Sequence, residues 1–261
     1  MLPEFILKEE NLRRYDLLYL TGLITAFAGF IVASYAFPSR ISVLTVVFAA
    51  IPLVYPLTQK FFEDENQSKP HRSEIFSYFS LFAGQASAFL LLALSTQENF
   101  SAQMNIIGAT GNFINLNSLF AEILVNNISV FAIIFIASAV IGSAGAFILT
   151  WNASVLGAFF SHLISLKGTE EYISPVLYIP HATLEMSGFI IAGITGSLVS
   201  AAVYREHFDF ETWQDYGLLL SLGISLVING AFLETGYLLA FLASLFVTGV
   251  IGYKLYALGD L

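Results

Sequence analysis

The chain has 261 residues, of which 57% are hydrophobic and only 11% charged, and it carries a formal net charge of -9. An average soluble domain is roughly a quarter charged, so a chain this poor in charge cannot cover itself with a water-facing surface and needs lipid as part of its solvent. The absence of cysteine excludes disulfides, thiolate zinc sites and cysteine nucleophiles, and the acidic balance argues against a nucleic-acid partner.

The first apolar run, 16–37, holds no charge from Leu17 to Phe37 and follows Lys8, Arg13 and Arg14. It starts too late and runs too long for the apolar part of a cleavable leader. It therefore reads as a first span, and the basic residues before it place the N-terminus in the cytoplasm. Further spans are expected at 41–58, 75–95, 122–149, 177–203 and 217–234, with a seventh at 236–258, since about 20 apolar residues cross a bilayer. Lys60, Lys69 and Arg72 lie on the cytoplasmic side after two crossings. Residues 97–118 are polar and rich in Asn, Gly and Thr, and read as a short amphipathic helix and loop on the outer surface.

Residues 151–166 are apolar but short, and read as a re-entrant half-helix or an interfacial helix. Irregular backbone at that depth would have to be covered by protein. Whether this segment crosses decides which side Lys167, Arg205 and Lys254 face. The expected fold class is all-α: a polytopic transmembrane helical bundle of six to seven spans, with the short apolar helix near 151–166, forming a single domain over 1–261.

Ionisable groups in hydrocarbon cost roughly 2.5–3.5 kcal/mol each on insertion scales, so each needs a reason. Three stand out: His181, Glu185 and Glu234. Asn126, Asn127, Asn152 and Asn229 are weaker cases. His181 and Glu185 are four residues apart and share a helix face with Gly188, Ala192 and Gly196. Met186, Ile190 and Ile194 fall opposite, so the helix is expected to pack its small, polar stripe against neighbours and turn a bulky back to lipid. Pro180 suits a helix start, which places the pair near a membrane face.

The pair has three readings. It can lock helices together, relay a proton, or ligate a metal; the first is favoured, so neither a metal nor any cofactor is expected. Glu234 lies in Asn229-Gly-Ala-Phe-Leu-Glu-Thr-Gly236. It is either an exposed turn residue of a helical hairpin or a buried partner of His181. The stripe Ser138, Gly142 and Ala146, with Gly145 beside it, reads as intramolecular packing or as a homodimer surface.

Pro180-His181-Ala182-Thr183-Leu184-Glu185 resembles the Pro-His-Gly-x-x-Glu signature of the stage II sporulation protein M family. Asn126-Asn127 before a span carrying Gly142 and Gly145, then Asn152 and Gly157, then Gly193 and Gly196, follow in the family's order. Ala231-Phe232-Leu233-Glu234 resembles its closing Ala-x-x-Glu. The likeness covers about 120–240, and Ala182 departs from the usual Gly. It implies an integral membrane protein of a family named for a role in envelope remodelling during sporulation, and leaves the chemistry open.

The functional expectation is a non-enzymatic scaffold or a subunit of an envelope or transport assembly in the cell membrane. Its partners would be the lipid bilayer and other membrane proteins. Its polar core would be His181, Glu185, Glu234, Asn127 and Asn152, with the His181–Glu185 pair holding the core together and Glu234 or Asn127 as its partner, and no catalytic residue is assigned. The alternative is a proton- or ion-coupled transporter or channel built on the His–Glu pair. An intramembrane metal-dependent hydrolase ranks last, because neither His-Glu-x-x-His nor Gly-x-Ser-x-Gly occurs.

Overall fold

The computed structural model describes residues 14–65, 72–110, 116–142, 144–168, 174–206 and 209–258. Lys8, Arg13 and Lys69, used above for orientation, lie outside the described residues. The described residues form nine α-helices: α1 (Tyr15–Ala36), α2 (Ile41–Glu65), α3 (Arg72–Ser95), α4 (Ser101–Thr110), α5 (Leu116–Ile141), α6 (Gly145–Ser165), α7 (Ile179–Tyr204), α8 (Phe210–Glu234) and α9 (Leu238–Leu258). Short 3₁₀ turns at Gln97–Phe100 and Pro175–Tyr178 precede α4 and α7. Seven helices are long and apolar enough to cross a membrane, and Ile41–Tyr55 is a shorter apolar helix.

The all-helical bundle is as the apolar runs require, but two expectations change. Residues 151–166 are not a separate short helix. They belong to α6, a 21-residue helix that meets the length and hydropathy of a span. The expected span 122–149 is instead broken at Gly142, whose φ of 65° ends α5. An L side chain rarely adopts that conformation. The freed Gly142 carbonyl accepts a 3.3 Å bond from Ser197 Oγ on α7. Gly145 starts α6 against Ser138 and Ile134, where any Cβ would collide with the Ser138 hydroxyl.

Contacts divide the chain into two units: Met1–Pro56, Phe76–Asn112 and Ala146–Leu177 in the first, and Leu57–Ile75, Phe113–Gly145 and Tyr178–Leu261 in the second. The first unit is knitted by glycines and buried amides. Gly22 on α1 and Gly84 on α3 sit against each other's helix backbones, Gly29 sits against Thr45 and Ala49 of α2, and Gly157 on α6 sits against Ala86, Phe89 and Leu90 of α3. Small residues let helices approach where lipid removes the hydrophobic drive to associate. The 97–110 segment is anchored here: Phe100 is fully buried against the rings of Phe30 and Phe89. Gln103, also fully buried, donates to Ser42 O at 3.2 Å and to Ser154 Oγ at 3.0 Å.

In the second unit α7 is the central helix, packed chiefly on α8 and on α5, while α9 packs on α8. Its buried residues run almost without a break from Met186 to Leu198. This corrects the second expectation. Met186, Ile190 and Ile194 do not face lipid: Ile190 and Ile194 are 0% and 1% exposed. Apolar periodicity looks the same whether a helix back faces lipid or a second protein surface. α8 starts with an Asp209 cap on the Thr212 amide at 2.8 Å. It ends in a Schellman turn: Gly236 has φ 75°, Gly236 N–H bonds Leu233 O and Tyr237 N–H bonds Phe232 O. That turn folds α9 back along α8. The bond from Asn229 Nδ2 to Thr248 Oγ1 at 2.7 Å, with Ser225 also touching Thr248, fastens the hairpin.

Gly188 lies where a Cβ would approach Val227 Cγ2 to 2.6 Å and Gly223 O to 2.7 Å, whereas a Cβ on Gly249 of α9 would meet nothing within 4 Å. Gly188→Leu is therefore expected to lower the melting temperature of the detergent-solubilised protein by many degrees, and Gly249→Leu to leave it near wild type. Ile190→Ala should cost about 2–5 kcal/mol as a core truncation. A wild-type melt for both Gly188→Leu and Ile190→Ala would show that α7 is not the buried centre of its unit.

Candidate functional site

The polar residues singled out in the second unit converge at one end of its helices. α7 carries His181 and Glu185 in its first turns, with Pro180 in the first turn as expected. Glu185 is 8% exposed, and its Oε1 accepts a 2.6 Å bond from Nδ2 of Asn127 on α5. Asn127 is equally buried, and its own Oδ1 accepts from Asn126 Nδ2 at 3.2 Å. On the other side Glu185 lies against α8 at Gly230. A Cβ there would come within 3.1 Å of Oε1 and closer still to Cγ. Glycine at this position makes room for the carboxylate, and the amide from α5 gives it a donor. A hydrogen bond to a charged group is worth about 1.5–3 kcal/mol, and leaving such a group unpaired costs more.

Glu234 occupies the last turn of α8, one turn beyond Gly230, and is exposed. Of its two readings, the hairpin residue is the one the backbone supports, and it is not the buried partner of His181. His181 is half-buried, and its ring meets the Tyr178 ring edge-on at 5.6 Å. Among the described residues no hydrogen bond joins His181 to Glu185. Sharing a helix face brings two side chains within reach of each other, but Glu185 finds a better donor on α5.

Asn152 belongs to the other unit and donates to Ile148 O of its own helix at 2.8 Å. Gly188 and Gly196 serve helix approach. Gly188 meets α8, and Gly196 meets Phe135, Ser138 and Ala139 of α5. Ala192, between them, is fully buried. Ser138 thus faces α7, so that part of the small-residue stripe is internal packing and is not open to a second copy.

Several buried polar groups escaped the sequence reading. Gln85 is 2% exposed and accepts from Thr150 Oγ1 at 3.1 Å. Gln103 with Ser42 and Ser154 forms a second such cluster, and Thr248 is the partner of Asn229, which the sequence did single out. An amide in an apolar run is a visible signal for Gln85; Ser and Thr give none, since they bond their own helix as readily as a neighbour. Among the described residues no group of three or more His, Asp or Glu is placed to hold a metal ion.

A family model for stage II sporulation protein M matches residues 17–238. The chain spans most of its length within that match and belongs to this family of multi-pass membrane proteins. The match reaches back through the first spans, beyond the 120–240 core that carries the recognisable motifs. No curated protein and no solved structure matches the chain.

The Asn127–Glu185 contact predicts coupled behaviour. Asn127→Ala and Glu185→Ala should each lower the melting temperature by several degrees, in line with about 1–3 kcal/mol for an unpaired buried polar group. The double variant should lose clearly less than the sum, because the two share one interaction. Asn152→Ala, which breaks only a bond within its own helix, should melt near wild type. Strict additivity of the two single effects would mean that the amide and the carboxylate are not partners.

Proposed function

We propose that the protein is a non-enzymatic membrane scaffold, or a subunit of an envelope or transport assembly, in the cell membrane. What supports this is how Glu185 is used. The Glu185 carboxyl group is engaged by Asn127 and seated on Gly230, and so ties α5, α7 and α8 together. Below it α7 continues as fully buried apolar side chains, Phe189, Ile190, Ile194 and Leu198. A proton- or ion-coupled transporter is the second reading, favoured by the two carboxyl groups, Glu185 early in α7 and Glu234 in the last turn of α8. Intramembrane carboxylates of this kind often mark ion pathways. The hydrolase reading is weakest, because His181 has the Tyr178 ring as its described contact and does not pair with Glu185.

Purified protein in proteoliposomes containing a pH dye separates the first two readings. With a proton gradient or an inward salt gradient imposed, wild-type vesicles should acidify no faster than protein-free vesicles, and Glu185→Gln should match them. Flux above that background that disappears in Glu185→Gln would remove the scaffold reading and install the transporter.

The orientation proposed is cytoplasmic for both the N-terminus and the end of α9. Counting α2 and α6 as crossings gives eight, with eight of the ten Lys and Arg inside and only Arg40 and Lys167 outside. Reporter fusions after residues 65 and 209 should report cytoplasm, and one after residue 110 the exterior. An exterior signal at 209 would mean that one of the later helices does not cross.

A further inference from the structure

α5 has two polar faces, and among the described residues of its own unit only one is packed. Toward α7 it turns Asn127, Phe131, Ile134 and Ser138, all buried. About 150° away around the helix it turns Glu122, Asn126, Ser129, Ile133, Ile136 and Val140, all exposed. Glu122 stands one turn from the end of the apolar window Leu119–Ile141, at headgroup depth, where water can solvate it. Asn126 and Ser129 lie two to three turns inside that window. The outward face of α9 offers the contrast. Leu239, Leu242, Phe246 and Val250 make it apolar throughout, which suits lipid.

Lipid cannot satisfy the α5 stripe. Asn126 gives one N–H to Asn127, and its carbonyl and second N–H have no partner among the described residues. Ser129 Oγ donates to Val125 O at 2.6 Å, which leaves its lone pairs free to accept. Exposed amide groups in hydrocarbon are costly. An amide three residues before a hydroxyl acceptor is also complementary to a copy of itself. In a two-fold pair, the second N–H of Asn126 in each chain donates to Ser129 Oγ of the other. The reciprocity of residue i with j and j with i is what a two-fold interface requires. Ile133, Ile136 and Val140 continue the face downward as close-packing apolar groups.

We infer that the outward face of α5 is an intramembrane docking surface for a second copy of this chain, held by the Asn126–Ser129 stripe. The Asn126–Asn127–Glu185 chain of contacts joins that surface to the polar core of its own unit. The pairing holds whether the protein is a scaffold or a transporter.

The chain has no cysteine, so each substituted thiol is the sole one. In native membranes under mild oxidation, Ile133→Cys and Ile136→Cys should give a disulfide-linked dimer, and Leu239→Cys on α9 should not. Ser129→Leu and Asn126→Leu, each placed in the Ile133→Cys chain, should abolish most of the dimer. Melting each variant shows whether its fold survives, and Ser129→Leu decides if Asn126→Leu disturbs Asn127. Four results would overturn the inference: no dimer at 133 or 136; equal dimer at 239, which is random collision; a dimer at 133 indifferent to both Leu variants; or cross-linking only to a protein of another mass. A membrane-impermeant maleimide should fail to label Ser129→Cys in the dimer. Ready labelling without cross-linking would make the face water-lined and would also overturn it.

Discussion

The second unit depends on burying a carboxylate where water cannot reach it. In hydrocarbon an unpaired carboxylate is costly, so it must find donors, find a proton, or stay near the surface. Glu185 has a donor close to the start of its helix. It sits in the opening turns of α7, and Asn127 of α5 supplies an amide. The rest of the local sequence follows from that requirement. Gly230 must lack a side chain because the carboxylate lies on it, and Asn127 must face α7 because the donor comes from α5. A buried ion pair is weak evidence for net stability, yet removal of one partner is costly. The contact therefore specifies which helices meet and in what register more than it adds to the stability of the fold.

Beneath that polar end, helix approach is set by backbone and not by side-chain bulk. Gly188 lets α7 touch the backbone of α8, Gly196 lets it touch α5, and Gly223 admits the Phe131 ring against α8. The first unit uses the same device at Gly22, Gly84, Gly29 and Gly157. With no hydrophobic gain for bringing apolar helices together in lipid, dispersion contact at short distance and interhelical hydrogen bonds carry the association. Pairs such as Gln85 with Thr150 and Gln103 with Ser154 add the second kind. They involve uncharged groups, whose burial costs less than that of Glu185.

The helices were legible because apolar runs longer than a bilayer admit few other readings. The break at Gly142 was not. Glycine is common in membrane spans, and only its φ, with Ser197 donating to its carbonyl, distinguishes a terminus from a packing site. Once that break is missed, residues 151–166 look too short to cross, since the first turns of α6 have been given to the previous span. The back of α7 was misread for a related reason: isoleucine suits both lipid and core, so Ile190 and Ile194 carry no sign of which they face. Glu185 and Asn127 were both legible as polar residues out of place, and Asn127 stood beside Glu234 as a possible partner of the His–Glu pair, but the choice between them, with Asn127 58 positions from Glu185, required the fold. Helical spacing pointed instead to His181, which the structure gives to Tyr178.

Adjacent asparagines on a membrane helix are an unusual use of polar side chains, and their spacing explains it. Consecutive residues project about 100° apart, so a single Asn can serve one face while a second serves the next. Asn127 is committed inward to Glu185, and Asn126 bridges to it while standing at the exposed edge. Either one alone would leave a polar atom short of a partner, Glu185 without its donor or Asn127 Oδ1 without its own. Together they extend a line of hydrogen bonds from the interior of the unit to its surface. Any group that engages Asn126 from outside therefore changes how firmly Asn127 is held, and with it the seating of Glu185 on Gly230. A rearrangement at Glu185 is transmitted outward by the same two amides. Thermodynamic linkage makes that coupling reciprocal, so the packing of α7 and occupancy of the outer face of α5 cannot be tuned independently.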